Sequence, residues 1–291
     1  MFLFIIVLTG CYIEPKVQKV PINRVALVIG NQDYRGNTLK NPISDAIGIK
    51  ETLENIGFDV TLLLDSTLDQ LNETLEGLKG NIEANNTLVF IYFAGHGNTL
   101  HKNSSEQFLM MTDKDRPTLV SIFKFYDFLK KVKARHSIIA LDVCRDYQEH
   151  YIVENEKLQN KNNFRGNFSL EGFRGTTIRY DDGVKEDVQV FVEKEKYSYK
   201  LPPSTLVSYA TERNQRAKDY SLHDDGHGAY TYALMKYLDD EEIPIGEVFR
   251  RVRVSILEES NRQQVSSEIM GLEKNIWLVP KKAPIAFSPP I

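Results

Sequence analysis

The stretch Thr87-Leu-Val-Phe-Ile-Tyr-Phe-Ala94 carries no charge and ends in Gly95-His96-Gly97. A continuous apolar run of this length is typical of a strand that is buried on both faces of a parallel sheet. A second run of this kind, His136-Ser-Ile-Ile-Ala-Leu141, ends in Asp142-Val-Cys144. Open α/β sheets bind ligands outside the carboxyl ends of their strands. The two stretches therefore predict an α/β sheet whose functional residues follow the strand ends.

Predicted strands and helices alternate along the chain on both sides of this pair. Apolar runs predict strands, and apolar residues at helical spacing predict helices. The strands are 24–29, 58–64, 205–210 and a last piece at 276–279, and the helices are 43–56, 68–82, 122–132, 229–238 and 245–256. We expect Ser66 or Thr67 to cap the second helix. This order is typical of a mostly parallel sheet with helices on both faces.

Residues 146–203 interrupt the pattern. Half of residues 181–200 are charged, and only Val188-Gln-Val-Phe-Val192 has the apolar character of a structured segment. A long stretch without regular elements is either functional or disordered. The predicted organisation is one domain part at 24–145, a mobile linker at 146–203, a second domain part at 204–280 and a tail at 281–291.

Residues 1–10 have the pattern of a signal peptide of the lipoprotein type. Their apolar run is too short to cross a bilayer, which takes about 20 residues, but it is near the lower limit of a signal-peptide core. Leu8-Thr9-Gly10-Cys11 resembles a bacterial lipobox, which predicts lipidation of Cys11, a tether at 11–23 and a place in the bacterial cell envelope. Tyr12, which follows the cysteine, favours the outer membrane over the inner one. No Lys or Arg precedes the apolar run, so a cytoplasmic protein with an apolar N-terminus stays the alternative.

Composition and motifs argue against several other classes of function. A formal net charge of -4 without a Lys/Arg stripe argues against nucleic acid as a partner. No glycine-rich phosphate-binding motif follows Gly30, which argues against a nucleotide-binding domain. His223-Asp-Asp-Gly-His227 has metal-ligating residue types but no regular helical face, so we predict no metal site. Asp181-Asp182 leaves calcium as a candidate activator, although EF-hand spacing is absent.

The chemistry predicted for the strand ends is nucleophilic catalysis. A thiol of pKa about 8.5 is mostly protonated at neutral pH, and a nearby imidazole raises the reactive thiolate fraction. His96 precedes Cys144 by 48 residues, close to the spacing in caspases. The N–H groups of Gly97 and Cys144 are candidate donors to an oxyanion. Taken singly, such a cysteine is usually a small buried apolar residue and such a Gly-His-Gly a tight turn.

Six segments together resemble the bacterial caspase-like, metacaspase-related cysteine peptidases. They are RVALVIGN at 24–31, LKNPISDA at 39–46, YFAGHG at 92–97, LDVCR at 141–145, TLVSYAT at 205–211 and GAYTYAL at 228–234. The resemblance implies the caspase–haemoglobinase fold, an α/β fold with a mostly parallel six-stranded sheet divided between large-subunit and small-subunit parts. It also implies His96 and Cys144 as a catalytic dyad, with no cofactor required.

The resemblance also implies a substrate pocket for Arg or Lys. Asp142 replaces the glutamine that caspases carry two residues before the nucleophile, as in metacaspases, and Asp45 matches their other pocket position. Ser208, in the small-subunit strand, is the third candidate for substrate binding. Ala94 stands where metacaspases often have serine, which affects one wall of the pocket. The alternatives are a helix first-turn carboxylate for Asp45 and a hydrogen-bonded strand-end carboxylate for Asp142.

The function predicted from the sequence is a cysteine endopeptidase acting on proteins or peptides. Self-cleavage is expected in the linker after basic residues, which include Arg165, Arg174, Arg179 and Lys185. The alternative is a caspase-fold pseudoenzyme or adaptor that binds peptides without cutting them. The presence of both His96 and Cys144 argues for the enzyme.

Overall fold

A six-stranded sheet forms the centre of the computed structural model. The structure describes residues 23–34, 38–99, 106–113, 118–146, 151–153, 188–192, 199–224 and 226–279, with backbone alone at 151–153 and 188–192. The strands are β1 (Asn23–Gly30), β2 (Asp59–Leu64), β3 (Thr87–Ala94), β4 (Gly97–Asn98), β5 (Phe108–Met111), β6 (Thr118–Ser121), β7 (His136–Asp142), β8 (Tyr151–Val153), β9 (Val188–Val192), β10 (Thr205–Tyr209) and β11 (Ser267–Gly271). The helices are α1 (Pro42–Asn55), α2 (Leu68–Leu78), α3 (Phe123–Val132), α4 (Ala229–Leu238) and α5 (Ile245–Glu259).

The strand order of the central sheet is β11-β10-β7-β3-β1-β2, and β11 alone of these strands runs antiparallel to its neighbour. This arrangement confirms the predicted fold class. β3 and β7, the strands that precede His96 and Cys144, are direct neighbours at the centre of the sheet. Their carboxyl ends therefore lie at the same edge.

Helices cover both faces of the sheet, as predicted. Side chains of α1, α4 and α5 pack on the face that contains Phe90, Tyr92 and Cys144. Side chains of α2 and α3 pack on the other face, against Ile91 and Phe93. Alternate residues of β3 are thus buried on opposite faces, which explains its continuous apolar sequence. The predicted cap of α2 is Thr67, whose hydroxyl accepts the Gln70 N–H in a capping box.

The strand predicted at 276–279 is wrong. The last strand of the sheet is β11, a solvent-exposed edge in which Ile269 and Met270 are about half exposed, so its sequence has no apolar run. Ile276 and Leu278 are buried in the core with α4 and α5 instead. The Ile276 carbonyl accepts the N–H of Ile245, the first residue of α5, at 2.7 Å.

A second sheet, in the order β4-β5-β6-β9-β8, adjoins the central one and was not predicted apart from Val188–Val192. Leu109, Met111 and Val120 from its hairpin pack on the α2 and α3 face. β8 and β9 come from the predicted linker and pair parallel with each other. Residues 147–150, 154–187 and 193–198 of the linker lie outside the described residues, so the predicted mobility of the linker stays a prediction. No helix in the described part of the chain is long and apolar enough to cross a membrane.

Candidate active site

His96 and Cys144 each lie two residues beyond the last residue pair of neighbouring strands. Ala94 pairs with Asp142 at the end of the ladder. Beyond the strands the two chains continue side by side, because the Gly95 N–H donates to the Asp142 carbonyl at 3.4 Å and the Thr99 N–H to the Asp146 carbonyl at 3.1 Å. Neighbouring strands lie about 4.8 Å apart, so these two hydrogen bonds keep the segments of His96 and Cys144 next to each other. Both side chains are fully buried.

Tyr34 holds the backbone at His96. Its hydroxyl accepts the His96 N–H at 3.1 Å and donates to the Met110 carbonyl at 3.1 Å. The rings of Tyr34 and His96 lie 4.5 Å apart, tilted by 47°. Gly95, with φ of +156°, allows this contact, because a Cβ there would lie 2.4 Å from the Tyr34 hydroxyl. The position therefore requires glycine.

Gly97 packs directly against the segment that leads into Cys144. A Cβ on Gly97 would lie 2.7 Å from Cβ of Val143 and 2.9 Å from Nε2 of Gln107. The buried Gln107 amide donates to the carbonyls of Cys144 at 3.1 Å and Asn98 at 2.9 Å. The two peptide groups that were predicted to bind an oxyanion, at Gly97 and Cys144, therefore lie on adjoining backbone segments that Gln107 ties together.

A loop at 211–219 covers Cys144. The Ala217 N–H donates to the Cys144 Sγ at 3.2 Å, and the Ala217 carbonyl oxygen lies 3.9 Å from the same sulfur. Arg145 exchanges backbone hydrogen bonds with Gln215 and Asn214 at 2.9 and 3.0 Å. The Arg216 guanidinium pairs with the Asp146 carboxylate at 2.9 Å. The loop therefore closes the Cys144 sulfur to solvent.

Arg145, the residue after Cys144, contacts the strands β10 and β11. Its guanidinium stacks on the Tyr209 ring at 3.8 Å from the ring centre and donates to the Ser267 hydroxyl at 3.0 Å. Burial lowers the pKa of Arg145 below its ordinary value, while the neighbouring Tyr209 acts in the opposite direction. One buried side chain, that of Arg145, therefore connects β10 and β11 with the segment of Cys144.

The three predicted substrate-binding residues all contact the first turn of α4. Asp45 Oδ1 accepts the Gly228 N–H at 2.9 Å, and Gly228 is the N-cap of that helix. Asp142 Oδ2 accepts the Thr231 hydroxyl at 2.6 Å, and the Ser208 hydroxyl accepts the Tyr230 hydroxyl at 2.8 Å. Asp45, Asp142 and Ser208 are fully buried. Two carboxylates therefore lie at the N-terminus of α4, where the helix dipole favours negative charge.

Asp45 and Asp142 also have the features of the two structural alternatives, a carboxylate in the first turn of a helix and a hydrogen-bonded carboxylate at a strand end. Asp45 does lie in the first turn of α1, but its hydrogen bond goes to α4. Asp142 is a hydrogen-bonded carboxylate at the end of β7. Burial raises the pKa of the Tyr230 phenol well above its ordinary value, the hydrogen bond to Ser208 lowers it, and the Asp142 charge raises it further. The Asp142 charge thus acts within the same buried cluster as Ser208 and Tyr230.

Comparison with known proteins assigns the family. The family model for the caspase domain matches residues 23–276. The chain belongs to the caspase-domain family. This is a family of cysteine peptidases. No curated protein sequence matches this caspase domain.

The fold of this caspase domain is also found among solved structures, of which 265 chains match. One is the Drosophila initiator caspase Dronc, with a TM-score of 0.56 and 12% sequence identity over 88% of this chain and 82% of that chain. At this identity the likeness shows the fold alone. It agrees with the six-stranded sheet described above.

Several residues singled out in the sequence lie elsewhere. Cys11 and Asp181-Asp182 are outside the described residues, as are the basic residues of the linker at 154–187. His227 precedes α4 and pairs with Asp224 at 2.8 Å. Within the ranges that the structure describes, no three His, Cys, Asp or Glu residues come together as a metal site.

Four further residues of the caspase domain contact the site and were not predicted. Tyr34 and Thr231 had a signal: Tyr34 follows the carboxyl end of β1 at the functional edge, and Thr231 lies within a segment that resembles the family. Gln107 and Ala217 had none. They belong to loops without periodicity and reach Cys144 only through long-range packing.

Proposed function

We propose that this caspase domain is an active cysteine endopeptidase with Cys144 as nucleophile and His96 as general base. The observation that supports it best is the ladder between β3 and β7, whose last pair, Ala94 and Asp142, lies two residues before His96 and Cys144. His96 takes the thiol proton as Sγ attacks the scissile carbonyl, and returns it to the leaving amine. Water then hydrolyses the thioester. The N–H groups of Gly97 and Cys144 stabilise the oxyanion.

The substrate residue before the cut is proposed to be Arg or Lys. Asp45 and Asp142 supply two carboxylates, and Ser208 a hydroxyl, around the first turn of α4. Negative charge favours a basic substrate side chain, and it repels the aspartate that caspases select. A guanidinium takes two parallel hydrogen bonds from a carboxylate whereas an ammonium makes a point contact, so Arg is expected to exceed Lys.

Self-processing is proposed for the linker, after basic residues between β8 and β9. Both strands pair with each other, and β9 also pairs with β6, so a cut between them leaves the two fragments connected through the second sheet. N-terminal sequencing of incubated protein should find new N-termini that begin directly after Arg165, Arg174, Arg179 or Lys185. Cleavage of the same kind in Cys144→Ala would contradict self-processing.

A peptide-binding adaptor without activity is the second candidate. The observation in its favour is the cover on Cys144, whose sulfur contacts the Ala217 peptide and is closed to solvent. Titration with a peptidyl-arginine electrophile separates the two. The peptidase should label stoichiometrically at Cys144 and turn over substrate, whereas an adaptor should bind the same peptide without labelling.

The decisive experiment is a positional-scanning library of fluorogenic peptides, cleaved by the full chain beside Cys144→Ala. Runs with and without calcium test calcium as an activator, since the proposed chemistry requires no cofactor. Hydrolysis after Arg and Lys that is absent from Cys144→Ala supports the proposal. A profile led by Asp contradicts the specificity, and equal activity in both proteins contradicts the nucleophile.

Lipidation of Cys11 is proposed as the attachment of the domain to the cell envelope, with 11–23 as the tether. The support is the lipobox-like sequence at 8–11. Mass spectrometry of protein from bacterial membranes should find a diacylated N-terminal cysteine. An intact N-terminus at Met1 in mature protein would contradict it.

A further inference from the structure

A chain of hydrogen bonds runs from the sheet through α4 to the Asp142 carboxylate. Tyr92 lies on β3, two residues before Ala94, and Ala94 pairs with Asp142. The Thr231 hydroxyl bonds the Tyr92 hydroxyl on one side and Asp142 Oδ2 on the other, the latter at 2.6 Å. All three side chains are fully buried. Neither Tyr92 nor Thr231 has a part in the dyad or the oxyanion site.

The direction of this chain follows from counting protons. A threonine hydroxyl has one proton to donate. Thr231 donates it to Asp142, an acceptor, so Tyr92 must donate to Thr231. The order is therefore Tyr92 to Thr231 to Asp142. Hydrogen bonds donated to a carboxylate favour its charged form, and they restrict the rotation of its plane.

Orientation matters more for one basic side chain than for the other. A guanidinium binds a carboxylate through two parallel hydrogen bonds, which requires the two planes to align. An ammonium is a point charge with three rotatable donors and tolerates a carboxylate in several orientations. A residue that fixes the plane of Asp142 should therefore affect arginine substrates more than lysine substrates.

We propose that Thr231 is the positioning residue that sets the preference for arginine over lysine, because its hydroxyl holds the Asp142 carboxylate in one orientation; this rests on the basic specificity proposed above. Tyr92 fixes the Thr231 hydroxyl in turn, because it donates a hydrogen bond to it. Position 231 is the third residue of α4, so packing of that helix on the sheet brings the hydroxyl to Asp142. The specificity of the site is thus coupled to the docking of α4.

The test compares kcat/KM for two fluorogenic peptides that differ only in Arg or Lys before the cut. Thr231→Val keeps the shape and removes the hydroxyl, and it should lower kcat/KM about tenfold for the Arg peptide and no more than about threefold for the Lys peptide. Thr231→Ser restores the hydroxyl and should restore the ratio. Thr52→Val is the matched control, since Thr52 bonds the Gly48 carbonyl within α1, and it should leave the ratio unchanged.

The outcomes separate this inference from the proposed function. A wild-type enzyme without preference for basic residues contradicts the specificity itself. An arginine-preferring wild type whose ratio is unchanged in Thr231→Val overturns only the role of Thr231, because loss of a purely structural contact lowers both rates together. If circular dichroism shows that Thr231→Val is unfolded, Tyr92→Phe replaces it: a ratio about threefold lower supports the proposal and an unchanged ratio overturns it.

Discussion

Two buried histidines lie at opposite ends of neighbouring parallel strands: His96 just after the carboxyl end of β3, and His136 at the amino end of β7. His96 follows the carboxyl end of β3, and Cys144 follows the carboxyl end of the neighbouring β7. His136 begins β7 at the amino edge, where its Nδ1 shares a 2.7 Å hydrogen bond with the Ser204 hydroxyl. Both histidines are buried.

The surroundings of the two histidines differ in charge and in backbone. Near His136, burial first and then the Lys274 and Arg135 charges lower the pKa to about 4, so the imidazole is neutral at pH 7. At the other edge, the backbone leaves the strands as loops, and two buried carboxylates lie at the N-terminus of α4. An imidazole beside a hydroxyl or thiol is therefore not by itself a catalytic site. The carboxyl edge supplies the peptide N–H groups and charges that the reaction needs.

The largest effect is expected when substitutions at the carboxyl ends of the strands are compared with a substitution at their amino ends. Cys144→Ala should abolish peptide hydrolysis, and His96→Ala should lower it by about three orders of magnitude, because an unassisted thiol is mostly protonated. Ser204→Ala should keep the wild-type kcat/KM. The assay is fluorogenic peptide cleavage with folding checked by circular dichroism. Activity lost in Ser204→Ala and retained in Cys144→Ala would reverse the assignment of the edges.

A smaller effect is expected from the charge at the carboxyl edge. Asp142→Ala should lower kcat/KM for arginine peptides about tenfold or more, which corresponds to about 1.4 kcal/mol. Asp142→Asn keeps an acceptor for Thr231 and removes the charge, so it separates charge from positioning. Cleavage after neutral residues should change much less. Equal losses for basic and neutral substrates would show that Asp142 only supports the fold.

The amino edge predicts the pH dependence of stability. The folded pKa of His136, about 4, lies below the unfolded value of 6.5, so the unfolded chain binds more protons between these values. The contribution of His136 is complete above pH 6.5 and is lost as pH falls towards 4. The loss should be about 1–2 kcal/mol, because solvent screens part of the effect of the two cations. Urea unfolding at several pH values measures it.

His136→Gln is the control for this pH dependence. This variant should reduce the pH dependence of the free energy of unfolding between pH 6.5 and 4 and leave peptide hydrolysis at neutral pH intact. A variant with the same pH dependence as the wild type would assign the effect to other groups.

The smallest effect is expected from the loop that covers Cys144. The Arg216–Asp146 ion pair is partly exposed, and its loss in Arg216→Ala should increase the opening of the loop about threefold, in line with about 0.6 kcal/mol for such pairs. The rate of iodoacetamide alkylation of Cys144 should rise accordingly, measured in a Cys11→Ser background. Arg250→Ala removes an exposed pair with Glu247 on α5 and should leave the rate unchanged. Equal rates in all three proteins would mean that Arg216 does not hold the cover.

The sequence by itself was enough for five strands of the central sheet and for the position of His96 and Cys144 after the ends of two of them. Both follow from local properties: an apolar run marks a doubly buried strand, and parallel neighbours bring their carboxyl ends to one edge. The edge strand β11 was missed because an exposed edge needs no apolar run, and the apolar piece at 276–279 was mistaken for it because burial under helices leaves the same pattern.

Only the tertiary structure decided which residues surround Cys144 and Asp142. Ala217 reaches the Cys144 sulfur from 73 residues away, and Thr231 reaches Asp142 from 89 residues away. These contacts depend on how α4 and the loop before it dock on the sheet, and neither side chain carries a periodic or compositional signal of its partner. Periodicity in the sequence reports which face of an element is buried. It does not report which buried polar groups meet, because that depends on the packing of elements far apart in the chain.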